Sequence, residues 1–284
     1  MPELPEVETT CRGISPHLVN QTITQVIFRH KQLRWPIPIK ALKDHLIDAT
    51  ITEVSRRAKY ILIQVPTGTV VIHLGMSGTL RIVSATTPLR AHDHFDCILS
   101  SNKILRLNDP RRFGALLWLP NHHTLAQLEN LGPEPLSTEF TATYLYQSAQ
   151  KHRSPIKTFI MNQKVVVGVG NIYASESLFM AKIHPEYPAN ALSLTQYQDL
   201  HKAIQKVLGK AIKKGGTTLK DFCQSDGKPG YFSQELKVYD RQEEPCLSCQ
   251  SPIHAIRLGQ RSTYFCPRCQ PLPSKFKRKK ELLL

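Results

Sequence analysis

The 284-residue sequence lacks the features that would direct a chain into a membrane or out of the cell. It has no apolar run approaching the roughly 20 residues that cross a bilayer. Its first residues do not show the basic-then-apolar pattern of a secretory signal. It also lacks an internal repeat. We therefore expect a soluble, cytoplasmic protein that does not bind a membrane.

Acidic residues are scarce relative to basic ones. The chain has 22 Asp and Glu residues against 37 Lys and Arg residues, which leaves a formal net charge of +15. An excess of this kind favours a polyanionic partner, because each neutralised phosphate releases condensed counterions. A purely solubilising surface charge is the alternative. Charge alone therefore favours nucleic acid without establishing it.

Cysteine is also uncommon, and its seven residues are unevenly placed. Cys246, Cys249, Cys266 and Cys269 form a C-x2-C…C-x2-C pattern at the spacing of a zinc ribbon. Two disulfides or an iron–sulfur cluster are the alternatives. Four thiolates complete a tetrahedron and leave no open coordination position, so the pattern predicts one structural Zn²⁺.

The first 130 or so residues read mainly as strands. Runs rich in β-branched residues, such as ITEVSRRAKYILIQV, TVVIHLGMSGTLRIV, HFDCILS and ALLWL, alternate with turn-prone stretches. This spacing predicts a sandwich or barrel-like pair of sheets. We expect one helix after Pro5, and a second, short helix over HHTLAQLENL that ends at Gly132.

Beyond LGPEPLS the pattern becomes helical. The clearest helix follows a capping box, S-L-T-Q, that begins at Ser193, and it should end at Gly215 and Gly216. The polar, glycine-bearing stretch TTLKDFCQSDGKPGYFSQE that follows predicts a long loop, and such loops are often functional.

A valine run leads into Gly168-Val-Gly170-Asn171. The stretch lacks the third glycine of a dinucleotide-binding motif, and no P-loop lysine follows it. What remains is a tight turn that opens a helix. Such a turn suits phosphate binding, because backbone amides and the helix dipole face the ligand. An ordinary capped helix is the alternative.

Several separated motifs resemble those of the formamidopyrimidine-DNA glycosylase family. They are MPELPEVET at the start, VGVGNIYASE in the middle and the zinc ribbon, together with RRAKY, IHLGMSG, DPRRFG, LGPEPL and SDGKPGYF. The resemblance covers about residues 2–270. The opening Pro-Glu-Leu-Pro-Glu favours the purine-lesion branch over the endonuclease VIII branch, which is expected to open Pro-Glu-Gly-Pro.

The resemblance implies an α+β fold of two domains. A catalytic β-sandwich with flanking helices would span residues 1–131, and a linker would span 132–137. A helix–two-turns–helix domain would follow at 138–235, with a lesion-covering loop at 217–234. A zinc finger with a β-hairpin would occupy 236–270, and a basic tail would occupy 271–284.

The implied function is base-excision repair. The protein would be a DNA glycosylase and abasic-site lyase that removes 8-oxoguanine and formamidopyrimidines from damaged double-stranded DNA, then nicks the strand by β,δ-elimination. It would act as a monomer in the bacterial cytoplasm. A pyrimidine-lesion glycosylase of the endonuclease VIII type and a catalytically silent DNA-binding module are the alternatives.

The resemblance gives the opening residues a chemical role. Once Met1 is removed, Pro2 presents a secondary α-amine, whose pKa of about 8 leaves far more of it nucleophilic than a lysine with a pKa of about 10.4. Its attack on C1′ would expel the base and leave a cationic iminium that acts as an electron sink. Glu3 would move protons between the ribose and the leaving base.

The remaining site residues also follow from the resemblance. Lys59 would lie at the lesion phosphate and donate a proton in elimination, and Arg261 would also donate a proton in δ-elimination. Glu6 and Glu176 would support the site. Met76, Arg111 and Phe113 would fill the gap left by the extruded nucleotide, with Arg111 on the orphaned base. The expected phosphate contacts are His73, His92, Arg112, Arg153, Lys157, Asn171 and Arg261.

Overall fold

The computed structural model describes residues 2–216 and 235–276. The predicted lesion-covering loop at 217–234 and the end of the predicted basic tail lie outside the described residues. The chain divides into two compact units. The first comprises Met1–Asn130 with Ala211–Gln234, and the second comprises Leu131–Lys210 with Glu235–Leu284.

The first unit is a pair of four-stranded antiparallel sheets with two helices. One sheet has the order β1-β6-β7-β5 and the other has the order β2-β3-β4-β8. The elements are α1 (Leu4–Leu18), β1 (Ile23–Phe28), α2 (Ile39–Leu46), β2 (Glu53–Arg57), β3 (Tyr60–Val65), β4 (Gly68–His73), β5 (Thr79–Ser84), β6 (Asp93–Leu99), β7 (Lys103–Asn108) and β8 (Ala115–Pro120).

One continuous hydrophobic core joins the two sheets. Ile61 and Ile72 come from one sheet and Phe95 and Leu107 from the other, and all four are at most 2% exposed. The buried face of α1 closes the same core through Ile14. Alternate residues of each strand therefore point inward, as a sandwich requires. The predicted sandwich and α+β class are confirmed.

Two local predictions in this unit need correction. The run 51–65 is a hairpin and not one strand, because Ala58 adopts a left-handed φ of 54° and Arg57 pairs with Tyr60 across the turn. The helix predicted over 122–131 is wrong, since that segment forms turns. There the Thr124 hydroxyl donates to the Glu129 carboxylate at 2.8 Å, a local bond of the kind that competes with helix formation.

The elements after residue 131 are mainly helical. They are α3 (Ala142–Ala149), α4 (Ile156–Ile160), α5 (Asn171–Met180), a 3₁₀ turn (Ala189–Ala191), α6 (Leu194–Lys213), β9 (His254–Leu258), β10 (Arg261–Phe265) and a second 3₁₀ turn (Ser274–Phe276). Within the described ranges, none of the helices has the length and apolar character needed to span a bilayer.

The capping box of α6 forms as predicted. The Ser193 N–H donates to Gln196 Oε1 at 2.9 Å, and the Gln196 N–H donates to Ser193 Oγ at 3.2 Å. After the helix, Gly215 and Gly216 take left-handed φ values of 74° and 80°. This is the conformation that makes glycine favourable at a helix C-terminus.

Candidate functional site

Pro2 and Glu3 are buried at the start of α1. Glu3 is the N-cap residue, and its N–H donates to Glu6 Oε2 at 2.8 Å. In return, the Glu6 N–H donates to the Glu3 carboxylate, which completes a capping box. Both carboxylates are only 2% exposed. The N-terminus is therefore held in place and not frayed, as a catalytic N-terminus requires.

Gly216 packs against the carboxylate of Glu6. A Cβ atom added at Gly216 would lie 3.0 Å from Glu6 Oε1, and the left-handed φ of this residue already disfavours a side chain. Glu6 therefore touches both the N-cap residue and the last described residue before the 217–234 segment. It occupies a supporting position, although its role stays a prediction.

Lys59 lies on the turn between β2 and β3 and is 8% exposed. The turn is tied to α1 through Arg56, which donates to Glu8 Oε2 at 2.9 Å and to the Ala58 carbonyl at 2.8 Å. Glu8 also accepts from Arg12 at 2.8 Å. Burial raises the pKa of Glu8, but these two arginines outweigh it and the net pKa is lowered. An ion pair thus joins the helix that begins at the N-terminus to the turn that carries Lys59.

His73 ends β4 opposite Tyr60, and the two rings lie 4.9 Å apart. Burial, followed by the positive charges of Lys59 and Arg34, lowers the pKa of His73 to about 4. Its Nδ1 accepts from the Gly75 N–H at 2.9 Å. The imidazole is therefore neutral at pH 7. It can donate one hydrogen bond to a phosphate through Nε2, but it brings no charge to that contact.

The three predicted void-filling residues come together on two adjacent loops. Phe113 is 47% exposed, and the Arg111 guanidinium lies 5.0 Å from the centre of its ring. Met76 is half-buried on the turn that follows β4. The two loops touch at Gly75, where φ is 64° and an added Cβ would lie 2.5 Å from the Gly114 nitrogen. An apolar wedge and a cation are thus presented side by side.

Asp109 lies beneath these loops and is completely buried. Its carboxylate accepts from the Gly114 N–H at 2.8 Å and from the Ser77 hydroxyl at 3.3 Å. Its backbone carbonyl accepts from the Arg112 N–H at 3.2 Å and contacts His94 Nε2 at 3.0 Å. The sequence analysis did not single out Asp109. Its place in the DPRRFG motif was the one available signal.

His92 and Arg112 are both exposed, and both have left-handed backbones, with φ values of 70° and 54°. Arg112 Nη1 lies 2.8 Å from His30 Nε2. His30, which no sequence motif indicated, also has its ring 5.4 Å from that of His94. Ring contacts and the Arg112 contact thus link His92 and Arg112 through the half-buried His30 and the buried His94, whereas His73 lies apart from this group.

In the second unit, Lys157 is 2% exposed, and protein atoms surround its ammonium. Nζ donates to Asn171 Oδ1 at 2.6 Å, to Thr263 Oγ1 at 2.6 Å and to the Ser262 carbonyl at 3.2 Å. Asn171 in turn donates from Nδ2 to the same Ser262 carbonyl at 2.9 Å. Lys157 thus ties the start of α5 to β10. Its predicted direct contact with phosphate stays untested, and this geometry favours an indirect role.

Arg261 is exposed at the tip of the β9–β10 hairpin. The two turn residues, Gly259 and Gln260, have φ values of 52° and 62°, as the tightest hairpin turn requires. Arg261 pairs with Leu258, so its side chain lies on the opposite face of the hairpin from Arg257. It borders a cavity of about 350 Å³ lined also by residues of α4 and by His152, Ser154 and Asn162.

Two further predicted residues lie in the second unit. Arg153 is exposed at the edge of a larger cavity of about 710 Å³. Glu176, on α5, is 4% exposed, and its carboxylate accepts from the N–H groups of Lys237, Val238 and Tyr239 at 2.9–3.1 Å. Burial raises the pKa of Glu176, and these three donors oppose the rise. Glu176 thus holds the chain just before the zinc ribbon.

The four ribbon cysteines converge as the spacing predicts. Their sulfur atoms all lie within 4.8 Å of one another. Cys246 Sγ is 3.9 Å from Cys269 Sγ, and Cys249 Sγ is 3.4 Å from Cys266 Sγ. Zn–S bonds of about 2.3 Å in a tetrahedron require sulfur separations of about 3.8 Å. The donor set therefore fits one structural zinc ion, which confirms the predicted cofactor.

Three family models match the chain. The formamidopyrimidine-DNA glycosylase N-terminal domain matches residues 1–116, and the H2TH domain of the same enzyme matches 131–223. A zinc finger found in FPG and IleRS matches residues 243–272. The matched regions include the N-terminal motif, the VGVGN turn and the four cysteines.

Curated relatives are similar over nearly the whole chain. Formamidopyrimidine-DNA glycosylases of Alteromonas mediterranea and Pectobacterium carotovorum are 52% and 54% identical, over 95% of this chain and 100% of theirs. Among solved structures, a complex of Lactococcus lactis Fpg with abasic-site DNA has a TM-score of 0.88 at 33% identity, covering 95% of this chain and 100% of that one. Thermus thermophilus MutM (FPG) has a TM-score of 0.85 at 36% identity, covering 95% and 98%.

Proposed function

This chain belongs to the formamidopyrimidine-DNA glycosylase family, and from that premise we propose how its own residues act on DNA. The chain is a DNA glycosylase that removes oxidised purines in base-excision repair, and it cuts the strand at the resulting abasic site as a lyase. Solved structures of one relative, Lactococcus lactis Fpg, contain DNA with Fapy-dG in one case and DNA with an abasic site in another, which are the substrate and the intermediate of these two steps.

The observation that carries the mechanism is the buried N-terminal cap. Pro2 precedes Glu3, whose carboxylate and that of Glu6 each accept the backbone N–H of the other residue, at the start of a helix joined by an ion pair to the turn of Lys59. In the proposed first step, the lone pair of the Pro2 amine forms a bond to C1′, and the C1′–N bond to the base breaks. The departing base takes a proton, and Glu3 is the acid nearest to the nucleophile along the chain.

The lyase step follows from the secondary amine. The nitrogen, now bonded to C1′, first gives its N–H proton to the Glu3 carboxylate. Ring opening then breaks C1′–O4′ as Glu3 passes that proton to O4′, and the freed nitrogen lone pair forms a C1′=N⁺ iminium that needs no further proton. Loss of a C2′ proton then expels the 3′ phosphate, and the corresponding δ-elimination expels the 5′ phosphate. Lys59 and Arg261 are the proposed cations at the departing phosphates. Water finally releases the sugar remnant from Pro2.

Nucleotide extrusion is assigned to the loops around Met76 and Phe113. A glycosylase must rotate its target out of the stack, and an apolar wedge replaces the lost stacking. Phe113 is exposed, and the Arg111 guanidinium lies over its ring. Phe113, the apolar wedge, and Arg111, the residue that contacts the orphaned base, would therefore enter the base stack together. Arg111 can donate two hydrogen bonds to an orphaned cytosine.

Phosphate binding is assigned to His92 and Arg112 in the first unit and to Arg153, Asn171 and Arg261 in the second. His73 acts as a neutral donor, because burial and nearby cations keep it unprotonated. Lys157 acts through Asn171, since its three protons are directed to protein acceptors. Glu6 and Glu176 support the backbone. The structural zinc shapes the hairpin that presents Arg261.

The proposed setting is a monomer on damaged duplex DNA in the bacterial cytoplasm. The net charge of +15 suits a polyanionic partner, and the relatives are bacterial. The proposed domain limits are a catalytic sandwich at 1–131, a linker at 132–137, a helical domain at 138–235, a zinc finger at 236–270 and a basic tail at 271–284.

Borohydride trapping on a duplex with one 8-oxoguanine opposite cytosine tests this mechanism. The processed protein should give a covalent adduct, and a form that retains Met1 should give none, because its Pro2 nitrogen is an amide. Pro5→Ala is the matched control, since Pro5 lies in the same helix turn without a free amine, and it should keep the adduct. Strand cleavage without an adduct would refute the iminium. Binding with neither product would refute the enzymatic function.

A further inference from the structure

The two loops that carry the void-filling residues cross between the sheets side by side. The turn at residues 74–78 leaves β4 in one sheet and enters β5 in the other. The loop at 109–114 leaves β7, which pairs with β5, and enters β8, which pairs with β4. Thr79 therefore lies opposite Asn108, and His73 lies opposite Ala115. Both connections span the same gap at one end of the sandwich.

Asp109 lies in that gap and reaches both connections. One carboxylate oxygen accepts from Gly114 on its own loop, and the other accepts from Ser77, next to Met76 on the neighbouring turn. The residue is completely buried, and within residues 2–216 and 235–276 it forms no ion pair. A buried carboxylate without a cation is costly, and it is retained where its hydrogen bonds are needed.

The contact between the two loops is otherwise made by glycine. A Cβ atom added at Gly75 would lie 2.5 Å from the backbone carbonyl carbon of Phe113 and 2.5 Å from the backbone nitrogen of Gly114. The two backbones are therefore too close at this point for a side chain on residue 75. Gly114 is equally confined, with the His73 carbonyl 2.7 Å and Asp109 Oδ2 2.9 Å from an added Cβ. Close backbone packing sets the spacing of the loops, and the Asp109 carboxylate supplies a directional bond to each.

We propose that Asp109 is a positioning residue that locks the Met76 turn and the Arg111–Phe113 loop into one unit, so that wedge insertion and reading of the orphaned base occur together. The inference rests on the proposed function and deepens it. Opposite-base specificity would then depend on a buried carboxylate that never touches DNA. A loop released from Asp109 would insert Phe113 less often, and Arg111 would no longer meet cytosine in a fixed orientation.

Asp109→Asn is the principal test. The amide keeps the shape of the side chain but removes the charge and replaces one acceptor oxygen with a donor, so the Ser77 hydroxyl must turn to accept and both bonds lose their charge assistance. Ser77→Ala is the milder variant, because it removes only the bond to the Met76 turn. Asp96→Asn is the matched control, since Asp96 is also buried in the first unit but pairs with Arg29 and Arg106 on the strands.

Three readouts separate positioning from general damage. The first is the ratio of excision rates for 8-oxoguanine opposite cytosine and opposite adenine. The second is the fluorescence of 2-aminopurine beside the lesion, which rises when the stack opens. The third is borohydride trapping on an abasic site inside an unpaired bubble, where no stack has to be opened.

Asp109→Asn should lower the cytosine-to-adenine ratio about tenfold, the effect of one hydrogen bond to a charged group, and reduce the 2-aminopurine signal. Trapping on the bubble should stay within about twofold of wild type. Ser77→Ala should change the ratio in the same direction by a smaller factor, and Asp96→Asn should leave it unchanged.

An unchanged ratio in a folded Asp109→Asn protein would overturn the inference, and so would an equal loss of trapping on the bubble. If Asp109→Asn does not fold, an unchanged ratio in Ser77→Ala overturns it instead. Absence of excision by the wild-type protein would refute the proposed function itself, which keeps the two failures distinct.

Discussion

In each unit a buried charged side chain bonds to segments that carry residues proposed to contact DNA, and these two charges have opposite signs. In the first unit, Asp109 lies under the loops that carry Met76 and Phe113. In the second, Lys157 lies under Asn171 and the zinc-ribbon hairpin. In both cases the described hydrogen-bond partners are neutral groups.

The opposite charges of Lys157 and Asp109 match the different groups that the two surfaces are proposed to contact. Lys157 supports residues proposed to bind phosphate, so its charge adds attraction that burial shields little from salt. Asp109 supports residues proposed to enter the base stack, where the ligand is a neutral base and a second cation would contribute little. In both units the residues proposed to contact DNA are supported by a buried charge that, on the proposal above, fixes their positions.

The units also differ in how they hold together. The first has a large hydrophobic core shared by two sheets. The ribbon of the second has four buried core residues, Val238, Cys246, Ile253 and Cys266, two of which are zinc ligands. A core of that size does not fold unaided, so metal binding supplies its folding free energy.

Zinc removal should have the largest effect, and it should disrupt the second unit while leaving the first unit folded. Chelation should unfold the ribbon, remove the Ser262 and Thr263 acceptors of Lys157, and lower DNA affinity at least about 100-fold, since metal-binding free energies in such modules exceed several kcal/mol. Hydrogen exchange on the full-length protein should show loss of protection in β9 and β10. Strands β3–β8 should keep theirs, and full DNA affinity after chelation would contradict this account.

Lys157→Met should give the next largest effect. It leaves Asn171 Oδ1 and Thr263 Oγ1 without their donor in a buried site, so we expect about 3 kcal/mol lower free energy of unfolding. Urea unfolding of the zinc-loaded protein measures this change. Lys164→Met, which removes an exposed lysine from the same unit, should cost less than about 0.5 kcal/mol. Equal costs for the two variants would show that Lys157 is not a structural cation.

Glu8→Gln should give the smallest effect, and it should depend on pH. The folded-state pKa of Glu8 is lowered, so the ionised carboxylate stabilises the protein above its unfolded pKa of about 4.3. That stabilisation, under about 1 kcal/mol, is lost as the pH falls through the folded-state pKa. Thermal unfolding from pH 7 to pH 3 should show the wild-type advantage shrinking in acid. The exposed Glu53→Gln variant should show no such trend.

Local patterns predicted the elements whose signals lie close together in the sequence. The α6 capping box spans four residues, and each cysteine pair also spans four, so the local geometry of each needs no distant partner. Alternation of apolar residues predicted the sandwich. The same patterns omitted α2 and β7, and they missed the break at Ala58, which is a left-handed turn without glycine.

The supporting charges could not be predicted in this way. Lys157 bonds to Ser262 and Thr263, more than a hundred positions away, and Glu8 on helix α1 pairs with Arg56 on strand β2. The local sequence around a lysine or an aspartate does not show whether that residue will be buried, because burial depends on tertiary packing. Motifs therefore indicate the groups that touch DNA, and only the fold reveals the groups beneath them.

The pairing of Phe113 with Arg111 has a consequence for the protein in the absence of DNA. A phenylalanine that is 47% exposed invites self-association, and here a guanidinium lies 5.0 Å from the ring centre in a chain of net charge +15. At low ionic strength, mutual repulsion keeps the aromatic tips of two molecules apart. Near 1 M salt the screening length falls to about 3 Å, and that colloidal protection disappears. The expected result is a protein that stays dispersed at low salt with Phe113 uncovered and that self-associates more readily as salt is added.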